Sequence, residues 1–207
     1  MQLLDILFHA LDELVDVGEP YKTLLISGIV TTLTCISVML IGILSERIER
    51  VEYRLLRNMF THKAVITILE YLTFPGVMLH ECAHALFAWF TGAQINKVRL
   101  LVFFNAHKLG EVIYTPRGNK LQRSVQMSFT SCAPVIMGLI ELSIIVYVLH
   151  TCVIALWLKI LLIYLFICIL NHMSMSELDV RGYLRGMLIV YPVLFLVFYA
   201  IRLYVYR

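Results

Sequence analysis

Charged residues are scarce in this chain of 207 residues, where Asp, Glu, Lys and Arg make up 15% and hydrophobic residues 60%. An ordinary soluble domain has about 25% charged and about 45–50% apolar residues. The shortage of charge excludes a disordered chain, and a soluble globule of this size could not bury so much apolar surface. The composition therefore predicts an all-α polytopic membrane protein.

Several other features are missing. The five cysteines form no CxxC pair and fall in or beside apolar stretches, which is typical of core residues rather than of a disulfide framework. No basic block interleaved with aromatic residues occurs, so we expect no nucleic-acid partner. The chain starts with an acidic segment, Asp5 to Glu19, which argues against a cleaved secretory signal.

About 20 apolar residues are needed to cross a bilayer, and about five stretches of this chain have that character. Before them, residues 1–20 are amphipathic and end at Gly18 and Pro20. Residues 45–63 alternate Arg and Glu, which predicts either an interfacial helix or a continuation of the preceding one. We expect one integral membrane domain over residues 1–207. Its predicted spans are residues 22–44, 64–90, 125–149, 153–171 and 187–206.

Residues 91–124 form the longest polar region, and their hydrophobic positions suggest strands rather than a helix. Two β-rich runs flank turn-forming residues between Asn105 and Gly110. The pattern predicts a small β-hairpin over about residues 95–115, at one face of the membrane.

Two charges of opposite sign lie inside the third and fourth predicted spans. Glu141 and Lys159 are equally distant from the turn at position 150, so an antiparallel hairpin places them at one depth. Because unpaired charges there are costly, we expect them to face each other or a polar cavity. The alternative is that Lys159 extends towards the headgroups and Glu141 is protonated.

The second predicted span contains His80-Glu81-Cys82-Ala83-His84, an HExxH pattern. On a helix, residues i and i+4 project from one face, so both imidazoles can reach one metal ion. Glu81 is then placed to take a proton from an attacking water. Three ionisable groups inside an apolar stretch indicate a functional site. The alternative is a polar contact between helices.

A catalytic zinc site usually has three protein ligands, so the two histidines need a partner. Asp179 follows a predicted span, whereas the other three aspartates lie near the amino terminus. Ser176 and Asp179 also fit an S-x-x-D helix start. Asp179 is therefore a candidate ligand, a capping residue, or both.

These motifs resemble the site-2 protease family of intramembrane zinc metalloproteases. In that family an HExxH helix precedes a β-rich loop, and a later helix ends in Asn-x-x-Pro-x-Pro-x-Leu-Asp-Gly. This chain has Asn171, Leu178 and Asp179 at the same spacing, and Ala133-Pro134 resembles a further element of the family. The resemblance covers roughly residues 70–185.

The chain also departs from the family pattern. Ser174 and Ser176 stand where the family has two prolines, and Val180 stands where it has glycine. The Asn expected shortly after Pro134 is absent. We therefore identify the chain as a divergent relative.

The resemblance implies hydrolysis of a peptide bond in or near a transmembrane segment of a membrane-bound substrate. It implies a Zn²⁺ held by His80, His84 and Asp179, with Glu81 as the proton acceptor. Asn171 would stabilise the oxyanion, although it could equally cap its helix. The hairpin would hold the substrate in an extended conformation. Its candidate substrate-binding residues are Val98, Leu100 and Val102.

The resemblance also implies a site that opens towards the cytosol, with residues 91–124 and 172–187 inside. Counting Lys22, this arrangement places nine Lys and Arg inside and seven outside, which agrees narrowly with the positive-inside rule.

Two other functions fit the same residues. One is a non-proteolytic membrane protein, either a metal-binding scaffold or an inactive homologue that regulates a partner. The other is a different membrane metalloprotease, in which Glu177 or Glu111 is the third ligand.

Overall fold

The computed structural model describes residues 2–100 and 110–205, which are mostly helical with one small sheet. The helices are α1 (Gln2–Leu14), α2 (Tyr21–Arg57), α3 (His62–Ile66), α4 (Phe74–Phe90), α5 (Lys120–Thr151), α6 (Leu156–His172) and α7 (Glu177–Val205). A π-helical turn, Thr67–Tyr71, separates α3 from α4, and the strands are β1 (Gln94–Arg99) and β2 (Glu111–Thr115).

Three helices among the described residues are long and apolar enough to cross a membrane, namely α2, α5 and α7. The α6 helix is also apolar but shorter, with 17 residues. The predicted membrane-protein class is thus supported by three helices, and the count of five spans stays a prediction.

The chain divides into two compact units, and α2 and α7 contribute residues to both. The terminal unit comprises Met1–Ser37 and Leu188–Arg207, and the central unit comprises Val38–Met187. The prediction of one integral membrane domain stays a prediction.

The terminal unit has its own apolar cluster. Phe8 of α1 packs with Ile26 and Val30 of α2, and all three are buried. Arg202 of α7 is also buried, 1% exposed, and its guanidinium makes two hydrogen bonds to the Asp12 carboxylate, at 2.5 and 3.2 Å. A buried cation requires such pairing, so α1 is held by charge as well as by apolar contact.

In the central unit, the predicted span over residues 64–90 is not a single continuous helix. The helix is interrupted at Leu72 and Thr73, and α4 starts beyond them with Pro75 in its first turn. Proline lacks a backbone N–H, which the first turn of a helix does not need, so Pro75 fits the start of a new helix. The Tyr164 hydroxyl of α6 donates to the Leu72 carbonyl at 2.6 Å, which compensates for the lost helical bond.

The basic and acidic segment after the first predicted span continues α2 as far as Arg57. An ion pair between Arg50 and Glu46, four residues apart and 2.6 Å between nitrogen and oxygen, supports this extension. Of the two alternatives, the helical continuation is the one observed.

The α5 helix starts with a capping box formed by Asn119 and Gln122. It ends at Thr151, and α6 starts at Leu156, so a short connection joins the two as expected. Among the described residues no ion pair joins Glu141 to Lys159. Lys159 is exposed, whereas Glu141 lines a cavity described below.

The predicted hairpin is present. Its strands are antiparallel, with Val98 opposite Val112 and Arg99 opposite Glu111, and a bulge lies between Ile95 and Lys97. The predicted turn between Asn105 and Gly110 lies outside the described residues except for Gly110.

The start of α7 packs closely on α5 within the central unit. A Cβ added to Gly186 would collide with the Ser124 carbonyl and Ser128, and one added to Gly182 would collide with the Ser131 hydroxyl. Small residues four apart let helix backbones approach in membrane proteins. This contact fixes the first turn of α7 beside the middle of α5.

Candidate metal centre

His80 and His84 lie on one face of α4, one turn apart, as the HExxH spacing predicts. Their Nε2 atoms are 3.1 Å apart, and their rings meet edge to face. Both side chains therefore point at one position in space.

The His84 ring is oriented by the backbone of α5. Its Nδ1 lies 2.8 Å from the Thr130 carbonyl oxygen. In a regular helix that carbonyl would accept the N–H of residue 134, but residue 134 is proline and has none. Pro134 thus leaves an open acceptor inside an apolar helix, and the imidazole of His84 fills it.

The His80 ring is oriented in the same way by α6. Its Nδ1 lies 2.6 Å from the carbonyl oxygen of His172, the last residue of α6. The last carbonyls of a helix have no intrahelical donor, so this acceptor is open as well. Gly76 permits the close approach of the two helices, because an added Cβ would collide with the Cys168 carbonyl.

These two contacts determine where the imidazole protons lie. A carbonyl oxygen only accepts hydrogen bonds, so each Nδ1 must carry a proton and donate it. In two neutral rings, both Nε2 atoms then present lone pairs to each other across 3.1 Å. Such lone pairs repel unless a proton or a metal cation lies between them. Backbone acceptors that fix Nδ1–H and turn Nε2 to a common point are typical of metal-binding histidines.

Asp179 is the acid next to this pair. Its Oδ1 lies 3.9 Å from His84 Nε2. Its Oδ2 accepts hydrogen bonds from the Ser176 hydroxyl at 2.6 Å and the Ser176 N–H at 3.1 Å, and the Asp179 N–H approaches the Ser176 hydroxyl at 3.3 Å. The predicted S-x-x-D helix start is therefore present. It occupies one carboxylate oxygen and turns the other towards the histidines.

The donor atoms suit a zinc ion in type and nearly in position. With Zn–N distances of about 2.0–2.1 Å, tetrahedral ligands lie about 3.3 Å apart, close to the spacing of the two Nε2 atoms. The distance of 3.9 Å from Asp179 Oδ1 to His84 Nε2 exceeds that tetrahedral spacing by about half an ångström. In residues 2–100 and 110–205, no group of three His, Cys, Asp or Glu side chains is arranged so that it could hold a metal ion.

Glu81 follows His80 on α4 and is covered by Gly110, at the start of β2. A Cβ added to Gly110 would lie 2.5 Å from Glu81 Cγ and 3.3 Å from Val77 Cγ1. The Glu81 side chain can therefore occupy its present position only if residue 110 is glycine. The sequence indicated Gly110 only as part of a turn.

Tyr114 of β2 is a second residue that the sequence did not indicate. Burial, and then the negative charge of Asp179, raise the pKa of the Tyr114 hydroxyl above its ordinary value. A smaller effect of the neighbouring Ser131 side chain opposes this rise in pKa. The protonated phenol therefore belongs to the surroundings of the candidate metal centre.

The remaining candidates lie elsewhere. Asn171 is half-buried near the end of α6, and within the described part of the chain no hydrogen bond joins it to His80, His84 or Asp179. Glu177 is exposed and 3.9 Å from Arg181, and Glu111 is 3.1 Å from Lys97 across the hairpin. Of the predicted substrate-binding residues, Val98 and Leu100 line a cavity beside α4, and Val102 lies outside the described residues.

Comparison with known proteins finds no family model that matches this chain, and no curated protein and no solved structure that matches it.

Proposed function

We propose that this chain is an intramembrane zinc metalloprotease of the site-2 protease type. It would hydrolyse a peptide bond in or near a transmembrane segment of a membrane-bound substrate. One observation carries the proposal. His80 and His84 each donate a hydrogen bond through Nδ1 to a backbone carbonyl of another helix, and that carbonyl has no donor within its own helix. Their Nε2 atoms face one point.

Three side chains would hold the metal, namely His80, His84 and Asp179 through its free Oδ1. A zinc ion bound by them would act as a Lewis acid that activates water and stabilises negative charge. Glu81 is adjacent in sequence to the first ligand and would accept the proton of the attacking water on its carboxylate. It would later return that proton to the departing amine.

Asn171 would donate a hydrogen bond to the developing oxyanion once substrate is bound. This role rests on the family resemblance. The ion pairs of Glu177 and Glu111 with neighbouring cations favour Asp179 as the third ligand over either of them.

The membrane arrangement belongs to the same proposal. We place five spans in the bilayer, formed by α2, the segment with α3 and α4, α5, α6 and α7. The site would open to the cytosol together with the hairpin. A labelling reagent that cannot cross the membrane should then reach residues of the 91–124 segment from the cytosolic side.

Metal analysis of purified variants tests the site. Wild-type protein should contain about one zinc per chain, and His80→Ala and Asp179→Ala should lose it. Glu177→Ala and Glu111→Ala serve as matched controls and should retain it. If Asp179→Ala retains zinc and one of the two glutamate variants loses it, the glutamate replaced in that variant is the third ligand instead of Asp179.

Cleavage is tested separately with Glu81→Gln, which should keep zinc and abolish hydrolysis of a panel of single-span reporter proteins. Substrates should accumulate uncut in cells that express this variant. Zinc retention without any difference between wild type and Glu81→Gln would support a non-proteolytic metal-binding protein instead.

A further inference from the structure

An apolar groove of about 400 Å³ lies beside the candidate metal centre, in the central unit. One wall is the face of α4 that carries Leu79, Ala83 and Leu86, next to the two histidines. Strand β1 with Val98 and the adjoining Leu100 form another wall. The position and size of the groove suit a segment of chain that passes the site.

One acid interrupts this apolar lining. Glu141 of α5 faces the groove together with Met137. Both residues also line a small cavity of about 10 Å³, room for about one water, that reaches His80. Glu141 therefore lines both the groove and the cavity that reaches His80.

Glu141 has no hydrogen bond or ion pair to another described residue, and Lys159 on the next helix is exposed rather than turned towards it. An acid in the middle of an apolar helix is costly unless it is paired or functional. The group that would stabilise it best is a cation that enters the groove.

We infer that the groove binds an apolar segment of the substrate that carries one Lys or Arg side chain, and that this side chain pairs with Glu141. The inference rests on the proposed function, since it names the class of segment the protease would take. The apolar walls would contact the rest of the segment, and Glu141 would set its register relative to the metal centre.

Cys82 provides a readout that does not depend on catalysis. It lines the groove and is exposed, whereas Cys152 is exposed at the end of α5 and outside the groove. A bound segment should protect Cys82 from a maleimide and leave Cys152 reactive. Cys35, Cys132 and Cys168 are buried and should react slowly in either case.

The experiment uses full-length Glu81→Gln protein in lipid nanodiscs, so that bound peptide is not cut. The probes are Leu- and Ala-rich peptides of about 20 residues, long enough to cross the bilayer. Each carries one Lys, scanned along the sequence, and a matched set carries norleucine at the same positions. At one register, the concentration of Lys peptide that half-protects Cys82 from the maleimide should be at least tenfold lower than that of its norleucine partner.

Glu141→Gln should remove this preference, and Glu141→Lys should transfer it to peptides with Glu at that position. Glu177→Gln, at an exposed acid outside the groove, should change nothing. Equal protection by Lys and norleucine peptides at every register would overturn the inference, and this comparison needs no substitution at Glu141. If wild type cuts none of the peptides while the Lys preference holds, the proteolytic function fails and the binding site stands.

Discussion

The rings of His84 and His80 each donate to a backbone carbonyl, and the two carbonyls lack a helical donor for different reasons. Only one of these reasons is visible in the sequence. The open carbonyl of Thr130 follows from Pro134, four residues later, because proline has no N–H to fill it. The open carbonyl of His172 follows from the end of α6. A backbone carbonyl occurs at every position, so its use as a partner is visible only once the helices are placed.

Gly110 offers the sharpest test at the scale of one residue. Gly110→Ala would push the Glu81 side chain from its place, because the new Cβ would lie 2.5 Å from Glu81 Cγ. A misplacement of about 1 Å can cost about 100-fold in rate. We expect cleavage of the reporter proteins to fall by about that factor while zinc content is unchanged.

The control for this variant is Gly18→Ala, where an added Cβ would meet nothing within 4 Å. Its cleavage rate should equal that of wild type. Wild-type activity in Gly110→Ala would show that the position of Glu81 does not limit the reaction.

At the scale of the element, the sequence predicted most of the helices and both strands, but not the interruption before α4. Residues 64–90 are apolar along their whole length, so hydropathy does not indicate where the helix is interrupted. The interruption follows a π-helical turn and precedes Pro75. The start of α7 was predictable, because Ser176 and Asp179 form a local motif. That the same Asp179 faces His84 depends on close packing of α7 on α5.

Ser176→Ala tests how the start of α7 supports the metal centre. The variant loses the hydrogen bond from the serine hydroxyl to Asp179 Oδ2 and the cap of the first turn. Loss of such a cap costs about 1 kcal/mol, and loss of a bond that orients a ligand lowers metal affinity about 10–100-fold. We expect zinc affinity, measured by competition with a chelator, to fall within that range.

Ser143→Ala is the matched control, since among the described residues that hydroxyl bonds to the Leu139 carbonyl of its own helix and to no other group. Its zinc affinity should equal that of wild type. If Ser176→Ala also keeps wild-type affinity, the serine hydroxyl does not orient Asp179 for metal binding.

At the scale of the whole molecule, composition predicted long apolar helices, of which three are present among the described residues, but not the division into two compact units. The terminal unit depends on Arg202 and Asp12, which are 190 positions apart in sequence, so no local pattern indicates their pairing. Its apolar cluster of Phe8, Ile26 and Val30 was predicted only as an amphipathic segment followed by a span.

The terminal unit should lose stability in acid. The hydrogen bond from Arg202, followed by its charge, holds the pKa of Asp12 below its ordinary value against the opposing effect of burial. The Asp12 carboxylate therefore stabilises the folded state above the unfolded pKa of about 3.9, and this contribution disappears as the pH falls through the lower folded value. Hydrogen exchange of α1 should accelerate over that window.

Asp12→Asn should remove this pH dependence and destabilise α1 at pH 7 by roughly 3 kcal/mol, because Arg202 is left buried without its main partner. Asp16→Asn, at an exposed acid just beyond α1, is the control and should retain the wild-type profile. Identical exchange in Asp12→Asn and wild type, at pH 7 and across the acid window, would contradict the assigned role.

The capping bond of Asp179 also bears on which ion the protein would acquire in a cell. Because Ser176 occupies Oδ2, the carboxylate can offer a metal only one oxygen, beside two imidazole nitrogens. Magnesium and calcium need about six or more oxygen ligands, so the cations that are most abundant in cells would find too few hard donors here. Zinc and neighbouring transition metals accept such a set. A single serine hydroxyl would thus contribute to metal selectivity by limiting the number of oxygens on offer.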